Sequence, residues 1–174
     1  CQNTEFGKIL VDGMGTIRVS EILFPASNLR TIIRNAKKED VYDYYNWVND
    51  EEVRSNSFNK KIIYFKSHKK WFYNQLKFPK KNLLYVFGIK NISFGQVRLN
   101  IFNKIAKIDY SIDKDFRQRG LGYKMLEQVI KKNELRNKSY VAEVKTLNTA
   151  SINIFGNLNF NILLQRNKIV FSKK

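Results

Sequence analysis

RQRGLG, residues 117–122, stands directly before YKMLEQVIKK, a segment with apolar side chains at helical spacing. The start of a helix exposes backbone N–H groups that lack acceptors within the helix, and the helix dipole adds partial positive charge there. Gly120 and Gly122 would let an anion approach this backbone, while Arg117 and Arg119 would add charge at the rim. The hexamer therefore predicts either a phosphate-binding loop or an ordinary arginine-rich turn.

Strand-like segments surround this turn. Three of them precede it, LLYVFGIK, ISFGQVRLNIF and KIAKIDYSID, and the short turns between them predict an antiparallel meander. SYVAEVK follows the helix, so the strand–helix–strand unit predicts two parallel neighbouring strands. NTASINIFGNLN then predicts a helix opened by a capping residue, and the remaining segment predicts two final strands.

The chain before the meander predicts one strand and two helices. LRTIIRNA, beginning at Leu29, has the β-branched content of a strand, and the segment after it carries apolar residues at helical spacing. A second amphipathic helix is predicted from Ser67, its N-cap, to Leu76, with Pro79 beyond its end. The predicted order is β α α β β β α β α β β, which is a mixed α/β domain over residues 29–174.

Composition limits the kind of site. Lys and Arg number 32 against 15 Asp and Glu, a formal charge of +17, which attracts polyanions although basic runs are usually solvated faces. One histidine and one cysteine argue against a zinc site, and we expect no metal. No apolar run approaches the ~18 residues of a membrane span and no signal peptide is recognisable. We therefore expect a cytoplasmic protein with neither membrane nor nucleic acid as its partner.

Two blocks of this sequence resemble the GNAT N-acetyltransferase superfamily. Arg117, Gly120 and Gly122, placed between a strand and a helix, match its acyl-coenzyme A signature Q/R-x-x-G-x-G/A. VAEVKTLNTASINIFGNLNF is similar to a second block, with matches at Asn148, Ser151, Ile152, Phe155 and Phe160. The resemblance covers residues 29–174. It implies the GNAT fold, a mixed central sheet of about seven strands with flanking helices, in which strands four and five splay apart.

The resemblance also implies a binding site for acetyl-CoA as cosubstrate. The loop that would bind the coenzyme pyrophosphate consists of Arg117, Gln118, Arg119, Gly120, Leu121 and Gly122. The backbone that would pair with the pantetheine arm at the splay belongs to Tyr110, Ser111 and Ile112. The remaining implied coenzyme contacts are Asn148, Ser151 and Phe155.

Two positions depart from the superfamily pattern. Phe155 stands where many relatives have a tyrosine whose hydroxyl protonates the departing thiolate, and Asn159 stands where a glycine is usual. The proton would then come from water, from Tyr110 or from another tyrosine.

Transfer to an amine also requires a group that takes a proton from it. Glu143, on the strand beside the implied splay, is the first candidate, and Asp109 is the second. Each of these carboxylates could instead be a solvent-facing or paired side chain. His68 is expected to pack beside Trp71.

The acceptor is predicted from a further resemblance. Residues 47–72 are similar to the GNAT subgroup that acetylates the 4-amino group of a UDP-linked deoxy-sugar on the way to pseudaminic and related nonulosonic acids. The ribosomal-protein acetyltransferases share part of this pattern, so a ribosomal-protein or peptide acceptor is the alternative. A non-catalytic coenzyme A-binding module or a basic nucleic-acid binder is a third. The candidate acceptor-binding residues are Arg54, Asn56, Ser57, Phe58, Trp71 and Arg98.

The first residues suggest a neighbouring unit. GKILVDGMGTIRVSEIL resembles the closing segment of the UDP-sugar hydrolases of the same pathway, and this similarity extends over residues 1–23. Because the chain begins with cysteine, we expect residues 1–28 to be the tail of an upstream unit, or a linker. The expected parent protein would fuse the acetyltransferase to the hydrolase.

Overall fold

The computed structural model describes residues 30–132, 135 and 137–174. The tail predicted at residues 1–28 lies outside them. Within this part of the chain the strands are β1 (Thr31–Asn35), β2 (Asn82–Ile89), β3 (Ile92–Phe102), β4 (Ile105–Ile112), β5 (Ser139–Lys145), β6 (Asn161–Gln165) and β7 (Lys168–Lys173). The α-helices are α1 (Val41–Asn49), α2 (Glu51–Asn56), α3 (Phe65–Lys77), α4 (Leu121–Lys131) and α5 (Thr149–Asn157).

These strands form one sheet in the order β1-β2-β3-β4-β5-β7-β6. The pairings of β1 with β2, β2 with β3 and β3 with β4 are antiparallel, as the meander predicted. β4 and β5 are parallel neighbours joined through α4, which confirms the predicted strand–helix–strand unit. The mixed α/β architecture with a seven-stranded sheet is therefore confirmed.

β4 and β5 separate over most of their length. Between the described residues of these strands, the paired positions are Ile105↔Ser139, Ala106↔Tyr140 and Lys107↔Val141. β4 nevertheless stays paired with β3 up to Gly95↔Ile112, and β5 stays paired with β7 up to Lys145↔Lys168. The predicted splay is therefore a wedge that opens toward the C-terminal ends of both strands.

A hydrophobic core lies on each face of the sheet. β2 shows the division by its alternation, since Tyr85 and Phe87 enter the larger core whereas Leu84 and Val86 enter the smaller one. Helices α4 and α5 cover the larger core, and α1 and α3 cover the smaller core. The wedge lies between these two layers, so both can contribute side chains to it.

The helices differ from the prediction at two places. α3 begins at Phe65 with Tyr64 as its N-cap, so the predicted N-cap Ser67 lies inside the helix. The short helix α2 was not predicted as a separate element. It forms because the Asp50 side chain accepts a hydrogen bond from the Val53 N–H at 3.2 Å, which caps the helix before the turn-forming residues that follow.

Asn159 adopts a left-handed conformation with φ of 56° directly after α5. Glycine reaches this region without strain, and asparagine tolerates it better than most other residues. The departure from the superfamily glycine therefore preserves the backbone of this turn.

Candidate functional site

A cleft of about 750 Å³ opens at the wedge between β4 and β5. Its walls come from these strands, from α2 and the loop after it, from the start of α4, and from α5. Both strands end their mutual pairing here, so their backbone N–H and C=O groups border an open space. An extended ligand could therefore pair with β4 as an additional strand would.

Two glycines shape the loop at the mouth of the cleft, each for a different reason. Gly120 has φ of +70°, and a Cβ built on it would meet nothing within 4 Å. It therefore provides a left-handed turn with an open side. A Cβ on Gly122 would lie 2.8 Å from Ile154 Cδ1 and 3.1 Å from Ile112 Cδ1, so this glycine lets α4 pack closely against α5 and β4.

The start of α4 suits a phosphate group. α4 begins directly after Gly120, and its first N–H groups have no acceptor within the helix. The open side of Gly120 leaves room for an anion beside them. The chain therefore has the backbone donors that would hold the coenzyme pyrophosphate, and acetyl-coenzyme A would supply the thioester for transfer.

The arginines of the loop are engaged with other groups of the protein. The Arg117 guanidinium lies 2.5 Å from Asp50 Oδ1 and 2.8 Å from Glu52 Oε2, and its Nε donates to the Ile112 carbonyl at 3.2 Å. Arg119 lies over the ring of Phe116, 5.9 Å from its centroid, and is not among the residues that line the cleft. The predicted contribution of these two arginines to the positive charge at the rim stays a prediction, and the ion pairs of Arg117 offset its charge.

A pair of hydroxyl groups stands at the inner end of the cleft. The Tyr110 hydroxyl and Ser151 Oγ are 2.8 Å apart, and Phe155 packs edge-on against the Tyr110 ring. Phe155 is 1% exposed and belongs to the larger core. Burial raises the pKa of Tyr110 to about 12, although the bond with Ser151 acts against it, so the phenol stays protonated near neutral pH. Asn148 caps α5 by accepting from the Ser151 N–H at 3.1 Å.

Glu143 is poorly placed to accept a proton. Its carboxylate forms ion pairs with Lys107 and Lys168, and the hydrogen bonds from these lysines hold its pKa below the ordinary value. A carboxylate stabilised in this way is a weaker base. This pairing argues against the predicted role of Glu143 as the first candidate for general base.

Asp109 is the more accessible of the two carboxylates and has one cationic partner instead of two. Its side chain is 53% exposed and borders the cleft, and it lies 3.3 Å from the Arg98 guanidinium. Gln96 Nε2 donates to Asp109 Oδ1 at 3.1 Å and to Ser111 Oγ at 3.3 Å. Gln96 is buried, lines the cleft and was not among the predicted site residues, because a single glutamine within a strand forms no spacing pattern.

The predicted acceptor residues fall into two groups. Those that line the cleft are Arg54, Asn56, Ser57 and Phe58. Arg54 donates to the carbonyls of Asn59 and Lys61 and to Ser57 Oγ, so it holds the loop after α2 in place. The other group, Trp71 and Arg98, stands behind Asp109 outside the cleft lining, with the guanidinium 5.0 Å from the Trp71 ring centroid.

His68 lies in the smaller core. It is 2% exposed and packs among the rings of Tyr45, Trp71 and Phe72. Burial, with a contribution from Arg98, lowers its pKa to about 4, so the ring is neutral at physiological pH. This agrees with the expected packing role.

Metal-binding clusters and membrane-spanning helices are both absent from the part of the chain that the structure describes. No group of three or more His, Cys, Asp or Glu side chains could hold a metal ion there. No helix among those residues combines the length and apolar character required to cross a bilayer.

Comparisons with known proteins agree with this architecture. The family model "Acetyltransferase (GNAT) domain" matches residues 30–161. The chain is similar to the structure of a ribosomal L7/L12 alpha-N-protein acetyltransferase in complex with coenzyme A, with 15% identity, a TM-score of 0.72, and coverage of 86% of this chain and 96% of the other. No curated protein matches the sequence.

Two other solved structures show the same fold. A putative acetyltransferase from Salmonella typhimurium with its cofactor acetyl-CoA has 17% identity and a TM-score of 0.67, covering 82% of this chain and 91% of its own. An N-acetyltransferase from Staphylococcus aureus Mu50 has 18% identity and a TM-score of 0.69, covering 83% and 98%. The family match extends over more than half of the chain. The protein therefore belongs to the GNAT family and is an acetyl-CoA-dependent N-acetyltransferase.

Proposed function

We propose that the acceptor is the 4-amino group of a UDP-linked 4-amino-4,6-dideoxy-sugar. The observation that carries this proposal is the position of α2 and the loop after it, which form the cleft wall that faces β4. These elements belong to the stretch at residues 47–72 that resembles the sugar-acetylating subgroup. The part of the chain with the most specific acceptor resemblance is thus also the part that borders the splay.

The chemistry of this wall suits a nucleotide sugar. Phe58 lines the cleft and is 55% exposed, so it offers a flat apolar surface for uracil or for the C6 methyl group. Lys60 and Lys61 follow it and are exposed, and they are our candidates for the phosphates because Arg54 already donates to two carbonyl groups.

The proposed reaction uses residues from both sides of the wedge. Asp109 accepts a proton from the acceptor amine, directly or through one water, and Gln96 and Arg98 hold its carboxylate. Backbone groups of β4 at the splay stabilise the charge that develops on the acetyl oxygen. The Tyr110–Ser151 pair donates a hydrogen bond to the departing sulfur. Since its pKa is raised, Tyr110 is a weak acid, so water completes the protonation.

Release of free thiol from acetyl-CoA tests the acceptor. We expect it with a UDP-4-amino-4,6-dideoxy-sugar and not with the N-terminal peptide of a ribosomal protein. The reverse result would assign the protein to the ribosomal-protein or peptide acetyltransferases. Background release with both would show that neither is the acceptor, and this part of the proposal would fail.

The two carboxylates provide the matched variants for the mechanism. Asp109→Asn should lower kcat by roughly 10²- to 10⁴-fold, the usual range for a lost general base. Glu143→Gln should lower it by less than about tenfold, because its carboxylate is paired with two lysines. Equal losses in the two variants would contradict the assignment to Asp109.

The proposed pathway also accounts for the similarity of residues 1–23 to a UDP-sugar hydrolase. Their similarity to the end of a UDP-sugar hydrolase supports a fusion in which the acetylated product passes to a hydrolase in the same parent protein. The coding sequence upstream of Cys1 tests this part of the proposal, which requires a hydrolase there.

A further inference from the structure

Arg117 connects the coenzyme loop to the acceptor wall. Each of its three guanidinium nitrogens donates to a protein oxygen, from Nη2 to Asp50, from Nη1 to Glu52 and from Nε to the carbonyl of Ile112. The side chain is only 21% exposed. One arginine thus contacts the end of β4, the N-cap of α2 and the first turn of α2.

The charges around Arg117 do not favour a pyrophosphate contact. One guanidinium faces two carboxylates at 2.5 and 2.8 Å, so the three side chains together carry a net negative charge. A phosphate approaching them would have to compete with both carboxylates. The backbone N–H groups at the start of α4 are free of this competition.

α2 depends on such contacts for its position. Its six residues include none that is fully buried, so packing alone holds it weakly. Three side chains hold it instead. Arg117 binds Asp50 and Glu52, and Lys145 Nζ donates to the Ser55 carbonyl at 3.0 Å. Arg54 donates to the loop that follows the helix. The residues so fixed include Asn56, Ser57 and Phe58 of the cleft wall.

We propose that Arg117 is a positioning residue for the acceptor, which it serves by tying α2 to the coenzyme loop through Asp50 and Glu52. It therefore determines the acceptor KM and the order of α2 and contributes little to acetyl-CoA affinity. This role rests on acetyl transfer in the cleft, and the identity of the acceptor enters only through the KM measurement.

Arg117→Met is the direct test, and calorimetry and amide hydrogen exchange are readouts that need no acceptor. We expect the acetyl-CoA Kd to rise by only a few-fold, as in the control variant below, because the pyrophosphate is bound by backbone groups and only the general positive field is reduced. Exchange in the peptide spanning α2 should become several-fold faster. The acceptor KM should rise about tenfold with a smaller change in kcat.

Arg119→Met is the matched control, since it removes the same charge from the same loop without touching α2. It should weaken acetyl-CoA binding a few-fold through the lost positive field and leave exchange in α2 unchanged. An Arg117→Met variant that binds acetyl-CoA more than about tenfold more weakly, with α2 exchange as in wild type, would overturn the proposal in favour of a pyrophosphate role.

A second variant keeps Arg117 and removes its partners. Asp50→Asn combined with Glu52→Gln should reproduce the faster α2 exchange and the higher acceptor KM, because asparagine still caps α2 while the ion pairs are lost. If Arg117 instead contacted phosphate, the double variant would leave α2 exchange and the acceptor KM as in wild type. Should wild type reject the UDP-sugar, the proposed acceptor fails, while exchange and calorimetry still decide the role of Arg117.

Discussion

Gly122 lies where α4 comes closest to β4 and α5, and Gly120, two residues earlier, turns the chain toward solvent. The two glycines belong to the same motif but are required for different reasons, since Gly122 lacks space for a Cβ and Gly120 needs a positive φ.

Side chains outside the motif determine which groups can take part in proton transfer. Asp109 and Glu143 are both ion-paired strand carboxylates, and they differ as candidate bases in the exposure of the side chain and in the number of cationic partners.

Substitution of these glycines by alanine should show the difference. Gly122→Ala should destabilise the protein by about 1–3 kcal/mol, because its Cβ would overlap Ile154 and Ile112. Gly120→Ala should cost about 1 kcal/mol through its positive φ alone. Gly156→Ala is the control, since its Cβ meets nothing within 4 Å in α5, and it should be neutral or stabilising. Urea denaturation measures all three, and a Gly122→Ala variant as stable as wild type would contradict the packing role.

The ion pairs of Glu143 predict a pH dependence of stability. Because the folded pKa of Glu143 lies below its ordinary value of 4.5, its contribution is present above that pH and is lost as pH falls through the folded pKa. Glu143→Gln should therefore be less stable than wild type at pH 7, and the difference should shrink below about pH 4. Denaturation midpoints at both pH values test this. A difference that stays constant with pH would indicate that the ion pairs contribute nothing.

At the scale of elements, helix starts control the geometry of the site. α2 and α5 are capped by Asp50 and Asn148, and each cap fixes a wall of the cleft. The β4–α4–β5 unit could be predicted because its periodicity and its turn lie within one stretch of chain. α2 could not, because its cap is followed within a few residues by turn formers. The ion pairs between α2 and Arg117 could not be predicted either, because Glu52 and Asp50 lie 65 and 67 positions before Arg117 and no local pattern connects them.

The cap of α5 can be separated from a role in coenzyme contact. Asn148→Asp keeps an oxygen that accepts from the Ser151 N–H and should retain stability, whereas Asn148→Ala should lose about 1 kcal/mol. Loss of the cap should also loosen Ser151 and its partner Tyr110. Thermal denaturation measures the change in stability, and kcat reports the change at Ser151 and Tyr110. Equal stability of both variants would show that the capping bond is dispensable.

At the scale of the whole molecule, the main property that affects ligand binding is the net positive charge. The formal charge of +17 is spread over a chain whose proposed donor and acceptor are both polyanions. Such a field raises the local concentration of anionic ligands and is screened by salt. The composition predicted this field but not its distribution, because it could not show that Arg117, Arg98, Lys107 and Lys168 form ion pairs with nearby carboxylates.

Salt should therefore weaken coenzyme binding. Raising NaCl from about 50 to about 500 mM should increase the Kd of acetyl-CoA several-fold, since the Debye length falls to about 4 Å. Acetyl-pantetheine, which lacks the phosphates, is the control and should show little change. Titration calorimetry at both salt concentrations checks the effect. The same salt dependence for both ligands would show that the field acts on the protein and not on the phosphates.

The wedge between β4 and β5 also has a mechanical consequence. Among the described residues, the ladder between the two parts of the sheet, β1–β4 and β5–β7–β6, consists of three pairs of residues. The packing of α4 and α5 and side-chain contacts such as Lys107–Glu143 add further connections. A ligand that lies along β4 occupies the place of the missing ladder. We expect a substrate bound in this way to complete the sheet, so that the bound enzyme resists separation at this seam better than the free enzyme does.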